Sequence, residues 1–474
     1  KYVRYGPNRV SLNSATASLE LHDVNSNTFK ADVYGVFKRF FGAEMSLTTT
    51  DHAAHAFRRR VNVAALKPAV INSLGARLPS HVDYLVQTLQ QGSTAPGTDS
   101  KTRSWSSGKN MTEFLSYCIM DIMSDLTFTQ CLNVQREEKN RHFVTSIPKG
   151  VGGMHLVGHM QCMLLFNIHK VLFRELTVGV KQFMDLSRSF ADERFRQYHE
   201  DGIKGDDIWE KLLVSQDPSS GRTFTREELA SEASLMITGG TDGMITTLTS
   251  TLFYLLHNPR TLSRLTAEVR ARFPPVPGEG NTVCPISFAS PELKNFTYLL
   301  ACLDEAMRLS PPVPSILPRK VGPGGITVDA QYFPAGTCLG IPHYCLHRND
   351  EVFEDPFSYK PERWMGEEKT GSGPASLKAG VGQSYSFTPF GAGRSSCVGK
   401  VLAYQEMSYI LARLLWELDL RLDPDNTLGE GDGLSGEGRG RKEEFQTYCC
   451  FVSWQDGPVV QFRRRRDLVP EPSQ

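Results

Sequence analysis

Ten cysteines are scattered along this 474-residue chain, and one of them, Cys397, stands in a context suited to chemistry. It lies in FGAGRSSCVGK (390–400), with glycines at 391, 393 and 399, directly ahead of an amphipathic stretch, VLAYQEMSYILARLLWEL. Glycine permits tight turns and lets backbone approach a flat group closely. A cysteine at a helix N-terminus meets free N–H groups and the positive end of the helix dipole, which favour thiolate over thiol. Such a thiolate can ligate a metal or act as a nucleophile, whereas most scattered cysteines are small buried hydrophobes. No His is placed by any motif to activate Cys397 as a hydrolase nucleophile.

Three other segments carry suitable residue types. DHAAHAFRRR puts His55 and Arg59 at i and i+4, on one helical face. A basic run of this kind is often only a solvated face. Glu305 and Arg308, three apart, also share a helical face, and Arg363 follows in PERW. In LMITGGTDGMITTLTS, Gly239 and Gly240 each cost a helix about 1 kcal/mol relative to alanine. Close approach of a flat cofactor would account for them, as would packing of a neighbouring helix.

These residues need elements to position them. A helix is predicted from Thr225 to His257, with Glu227 and Glu228 in its first turn and Asn258-Pro259 as its stop. At roughly 1.5 Å per residue it would cross a whole domain. Most of the stretch from about Asp51 to Arg270 reads as helical, including Pro79–Gln90 and Val178–His199, and helix returns from Pro291 to Leu309. Residues 1–50 and 313–345 read as short strands with turns, and FQTYCCFVSW and VVQF as a terminal strand pair. The acidic, glycine-rich run 423–441 is expected to be a mobile loop, and Arg463–Arg466 a solvated tail. The expectation is a mainly α chain with a minor β region, residues 1–474 forming one catalytic domain.

The 52 basic and 52 acidic residues balance, so charge gives no reason to expect nucleic acid. The cysteines show neither C-x-x-C spacing nor the density of a disulfide scaffold, which favours a reducing compartment. No run of about 18 apolar residues suggests a membrane span.

Phe-x-x-Gly-x-x-x-Cys-x-Gly ahead of a long helix resembles the cysteine loop of the cytochrome P450 family. The resemblance extends from RYGPNRVSL to the final strands, with the other segments in the expected order. It implies a triangular helical prism around haem b. Cys397 would be the axial iron ligand, Phe390 would lie beside the porphyrin, and Gly393 and Gly399 would make room. His55, Arg59, Arg319 and Arg394 would face the propionates; the family's usual Arg or His two places before the cysteine is Ser395 here. Glu305, Arg308 and Arg363 would form a structural network. Gly239, Gly240 and Asp242 would lie on the oxygen side, where Gly243 replaces the usual proton-relaying Thr. Thr246 or Thr247, a turn further on, is one substitute, and a substrate hydroxyl or water is another. Ser315, Ile316 and Leu317 are candidate substrate contacts.

What the resemblance implies is a monooxygenase using O₂ and two electrons, drawn from NADPH through a flavoprotein reductase. Its style is that of fungal members active in secondary metabolism, with an apolar or weakly polar organic substrate. Those members are held on the cytosolic face of the endoplasmic reticulum by an N-terminal membrane anchor, a segment the reading expects to be missing here, and a monomer is expected. Gly243 keeps open phenol coupling, dehydrogenation, isomerisation or dehydration, and a non-catalytic haem sensor or carrier is a third reading.

Overall fold

The computed structural model of the chain describes residues 2–41, 44–91, 104–160, 162–165, 168–172, 174–277, 282–365, 386–434, 438–465 and 468. Its centre is the helix Arg226–His257. The Thr225 hydroxyl accepts from the Glu228 N–H, and the Glu228 carboxylate accepts from the Thr225 N–H, a reciprocal cap that fixes its first turn. Pro259 opens the next helix, Pro259–Arg272, so the chain turns at Asn258. From Met244 to Leu256 this long helix is buried almost throughout. Around it pack the helices Met111–Phe128, Arg174–His199, Thr297–Leu309 and Lys400–Glu417. The main apolar cluster joins residues from Ala31 to Leu468.

A five-stranded sheet stands at one edge, in the order Tyr2–Gly6, Arg9–Leu12, Cys338–Gly340, Arg319–Val321, Thr28–Lys30. Only the pairing of Arg9–Leu12 with Cys338–Gly340 is parallel. In its last pair Lys30 lies directly opposite Arg319. A sheet of very short strands thus carries two cations side by side.

Several expectations need correction. Pro291–Leu309 is two helices, Pro291–Lys294 and Thr297–Leu309, parted at Asn295 and Phe296. The chain's end holds three strands. Thr447–Cys450 and Val452–Gln455 form a hairpin, while Val459–Arg464 pairs with Leu418–Leu422 and Lys109–Asn110. Arg463 and Arg464 therefore belong to a strand, with Arg463 bonded to Asp419 at 3.2 Å and Arg465 buried beside Trp416. They are no solvated tail, because strand alternation sends successive arginines to different neighbours. Arg466 lies outside the described residues. The acidic run is pinned where described: Gly431 N–H donates to Arg441 O, and Asp432 N–H to Arg439 O.

Candidate functional site

The loop before the helix Lys400–Glu417 is shaped by glycines at positive φ, Gly391 at 67° and Gly393 at 61°. A Cβ on Gly393 would stand 1.9 Å from the His22 carbonyl oxygen, so this turn docks directly on backbone. The Cys397 N–H donates to Phe390 O at 2.8 Å, closing the loop. Its sulfur accepts from the N–H groups of Gly399 and Lys400, the first free donors of the helix. Burial pushes the thiol up, outweighing those donors and the Arg59 and Lys400 charges. Cys397 is accessible by surface area, yet protein surrounds it densely. The Phe390 ring packs on Tyr404, with centroids 5.1 Å apart.

Beside this loop is a cleft of about 570 Å³ whose lining includes Lys30, His52, His55, Arg59, Arg319 and Arg394 and, among the described residues, no carboxylate. Arg59, from the helix His52–Ala65, donates to both the carbonyl and the hydroxyl of Ser396. Arg319 donates to Ser395 Oγ at 3.1 Å, and Arg394 meets His52 at 3.2 Å. Burial pushes Lys30 down to about 7, with further repulsion from Arg319 and Arg59. His55 falls to about 3, first through burial and then through Lys30 and Arg59, so its imidazole is neutral at neutral pH. The three arginines of RRR diverge, as 100° steps on a helix require. Arg58 pairs with Glu228 and Glu232, Arg59 reaches the cysteine loop, and Arg60 bonds Asp217. Another cleft, of about 520 Å³, lies at Pro79, Phe288 and Arg413, an arginine already paired with Asp83 and Glu417.

On the long helix, Gly240 and Gly239 differ. A Cβ on Gly240 would lie 2.5 Å from Met123 Cε, so this glycine serves packing of the helix Met111–Phe128. Gly239 is open, meeting only Leu235 of its own helix among the described residues. Gly243 faces Pro312, whose Cβ would be 3.8 Å from an added Cβ, ordinary contact that leaves room for a side chain. Thr246 is committed elsewhere, donating to Gln455 Oε1 at 3.1 Å. Thr247 is on the Gly243 face, one turn on, and donates to the Gly243 carbonyl at 2.8 Å. Burial alone raises Asp242 to about 7, and its carboxyl makes no hydrogen bond among the described residues.

Glu305, Arg308 and Arg363 meet in one cluster. Arg308 donates to both oxygens of Glu305, at 2.9 and 2.8 Å, while Arg363 and Trp364 donate to the same carboxylate, each at 2.9 Å. The remaining Arg308 hydrogens reach the carbonyls of His347, Pro356 and Ser358. Ile316 is packed against Gly340, whereas Ser315 and Leu317 are half-buried.

Residues 9–435 match the sequence model of the family described as Cytochrome P450. The chain belongs to that family. A "Cytochrome P450 monooxygenase" of Gibberella zeae is 30% identical over 452 residues, covering 95% of this chain and 98% of the relative. "Cytochrome P450 monooxygenase poxM" of Penicillium oxalicum is also 30% identical, covering 98% of this chain and 82% of its own length. Among solved structures, a "cytochrome P450DA heme domain" superposes with a TM-score of 0.76 at 16% identity, covering 98% of this chain and 90% of that one. The triangular, mainly helical fold is thus shared, and the chain is an oxidoreductase of the monooxygenase class.

Membership implies haem with a cysteine thiolate ligand, and the residues present fit it. Lys30 and Arg319 stand opposite each other in a sheet, a like-charge pairing that costs energy, while Lys30 Nζ donates to the Ser46 and Leu47 carbonyls at 2.6 and 3.0 Å. The carboxylate-free cation set matches a ligand with two carboxylates, and Cys397 stands at its border. Sequence reasoning missed Lys30, which has no motif, and His52, which an i, i+3 reading from His55 would have found.

Proposed function

We propose that the chain is a haem-thiolate monooxygenase of fungal secondary metabolism, one catalytic domain acting on an apolar or weakly polar organic molecule. The observation that carries this reading is Cys397 Sγ, held by two helix N-terminal donors beside a cleft whose charged lining, among the described residues, is basic. Cys397 would ligate the iron, with Phe390 beside it and Gly391, Gly393 and Gly399 shaping the loop. Arg59, His55, Lys30, Arg319, Arg394 and His52 would hold the propionates, so Ser395 needs no charge of its own. The bound cofactor supplies reductive activation of O₂ and oxygen transfer, while the protein binds, orients and handles protons.

Asp242 is suited to exchange a proton near neutral pH, since burial sets it at about 7. The hydroxyls of Thr241, Thr246 and Thr247 are all engaged within the protein, at Ile237 O, Gln455 and Gly243 O. Water or a substrate hydroxyl in the space at Gly243 would complete the path. Gly239, Ser315 and Leu317 would contact substrate, with Ile316 packed behind them. Glu305, Arg308 and Arg363 are structural. Electrons would come from NADPH through a flavoprotein reductase, with the protein a monomer at the cytosolic face of the endoplasmic reticulum. Among the described residues no helix is long and apolar enough to cross a membrane. Gly243 and the engaged hydroxyls also favour a second reading, coupling or dehydrogenation without oxygen insertion.

The test is the carbon monoxide spectrum of the dithionite-reduced protein, with Cys397→Ala beside it. A strongly red-shifted Soret band lost in the variant supports thiolate ligation; a band unchanged in Cys397→Ala would refute it. Product formed under ¹⁸O₂ then separates the two readings, since only oxygen insertion labels it.

A further inference from the structure

Away from the cysteine loop, His81, Asp121 and Cys131 bring an imidazole, a carboxylate and a thiol together. One donor atom from each lies within 4.8 Å of both others, the sole such group among the described residues. His81 comes from the helix Leu78–Leu89 and Asp121 from Met111–Phe128. Thr129 and Asn133, at φ 55° and 56°, fold the chain back after the second helix, which returns Cys131 to Asp121 ten residues earlier.

We propose that His81, Asp121 and Cys131 form a zinc site that ties these two helices together, separate from the haem.

The donor set is the first reason. Thiolate, imidazole and carboxylate are zinc's usual ligands, and three protein ligands leave a fourth position for water. Geometry is the second. Bonds of about 2.0–2.3 Å in a tetrahedron put donor atoms about 3.5 Å apart. The present spacing, no more than 4.8 Å, needs closure by at most about 1.3 Å. The outer partners are the third. His81 Nε2 bonds Asp125 Oδ2 at 3.1 Å, and Arg77 holds Asp125 at 3.0 Å, a carboxylate behind the imidazole as at many metal centres. Entry is open, because His81 and Cys131 are half-buried while Asp121 is buried.

Asp121 also accepts from the N–H groups of Val134 and Gln135, at 2.8 and 3.0 Å, so it anchors the loop without metal. Each oxygen takes one of those bonds, and the Cys131 thiol donates to the same carboxylate, so loss of the thiol proton on metal binding would free the lone pair it occupies. Binding would release the Cys131 thiol proton to solvent as the Zn–S bond forms. The clamped helix carries Met123, which packs on Gly240 of the long helix, so the metal would steady the oxygen-side wall.

The test uses the full-length, haem-loaded protein dialysed against Zn²⁺, with bound zinc counted by mass spectrometry and its surroundings read by X-ray absorption. One zinc per chain is expected, with one sulfur at about 2.3 Å and nitrogen or oxygen at about 2.0–2.1 Å. His81→Gln and Cys131→Ser should each weaken binding at least tenfold, while Cys162→Ser, an exposed cysteine elsewhere, should not. Zinc with no sulfur neighbour, no stoichiometric zinc, or equal binding in His81→Gln would overturn the proposal. If Cys131→Ser does not fold, the wild-type absorption spectrum and His81→Gln decide it.

Discussion

Replacing Glu305 by Gln isolates the charge of the buried cluster while keeping its shape. Glu305 and Arg308 have side chains 0% exposed. One carboxylate oxygen accepts from Arg308 Nη2, Arg363 Nε and the Lys360 N–H; the other accepts from Arg308 Nε and Trp364 Nε1. In Gln one of these oxygens becomes an NH₂, so at least two buried donors face a donor. Each unsatisfied buried group costs about 1–3 kcal/mol. Arg308 also loses its closest counter-charge, and breaking a buried pair from one side costs about 3–5 kcal/mol in total. Both figures describe one loss, of about 3–5 kcal/mol. Against a total stability of about 5–15 kcal/mol, that is a large fraction. Urea unfolding followed by far-UV circular dichroism should show a lower midpoint, with haem released earlier. Arg363→Lys, at a residue with some solvent access, should cost less. A Glu305→Gln midpoint within the equivalent of 1 kcal/mol of wild type would refute the reasoning.

Glu406, fully buried on the helix after Cys397, has neither oxygen hydrogen-bonded among the described residues, and burial raises it from 4.5 to about 8. Between those values the unfolded chain has lost the proton that the folded chain keeps, so stability falls as pH rises through that window. Glu406→Leu removes this slope; its advantage should grow from pH 5 to 8 toward about 5 kcal/mol, and parallel stability–pH curves for the two proteins would count against it. Gly393→Ala meets both a positive φ and the His22 carbonyl, and should cost at least about 2 kcal/mol. Its haem-to-protein ratio on purification should drop, and full occupancy with an unchanged unfolding midpoint would contradict the docking described.

Short-range pattern in the sequence determined much of this. The cysteine loop, the PERW segment and the i, i+3 and i, i+4 pairs depend on local geometry, since glycine turns and helical periodicity act within a few residues. The long helix was legible for the same reason: its cap and stop, Thr225 and Pro259, are local signals. Tertiary structure decided what depends on neighbours distant in the chain. Lys30 faces Arg319 only because strands 289 residues apart pair in one sheet, and no spacing encodes that. Thr246 and Thr247 are adjacent, yet the C-terminal hairpin claims one while the other stays on the Gly243 face. Met123 explains Gly240, but the same two glycines fitted a cofactor equally well until the facing helix was known. Periodicity gives the direction of a side chain along its own helix; what it meets there is set by the packing of the rest of the chain.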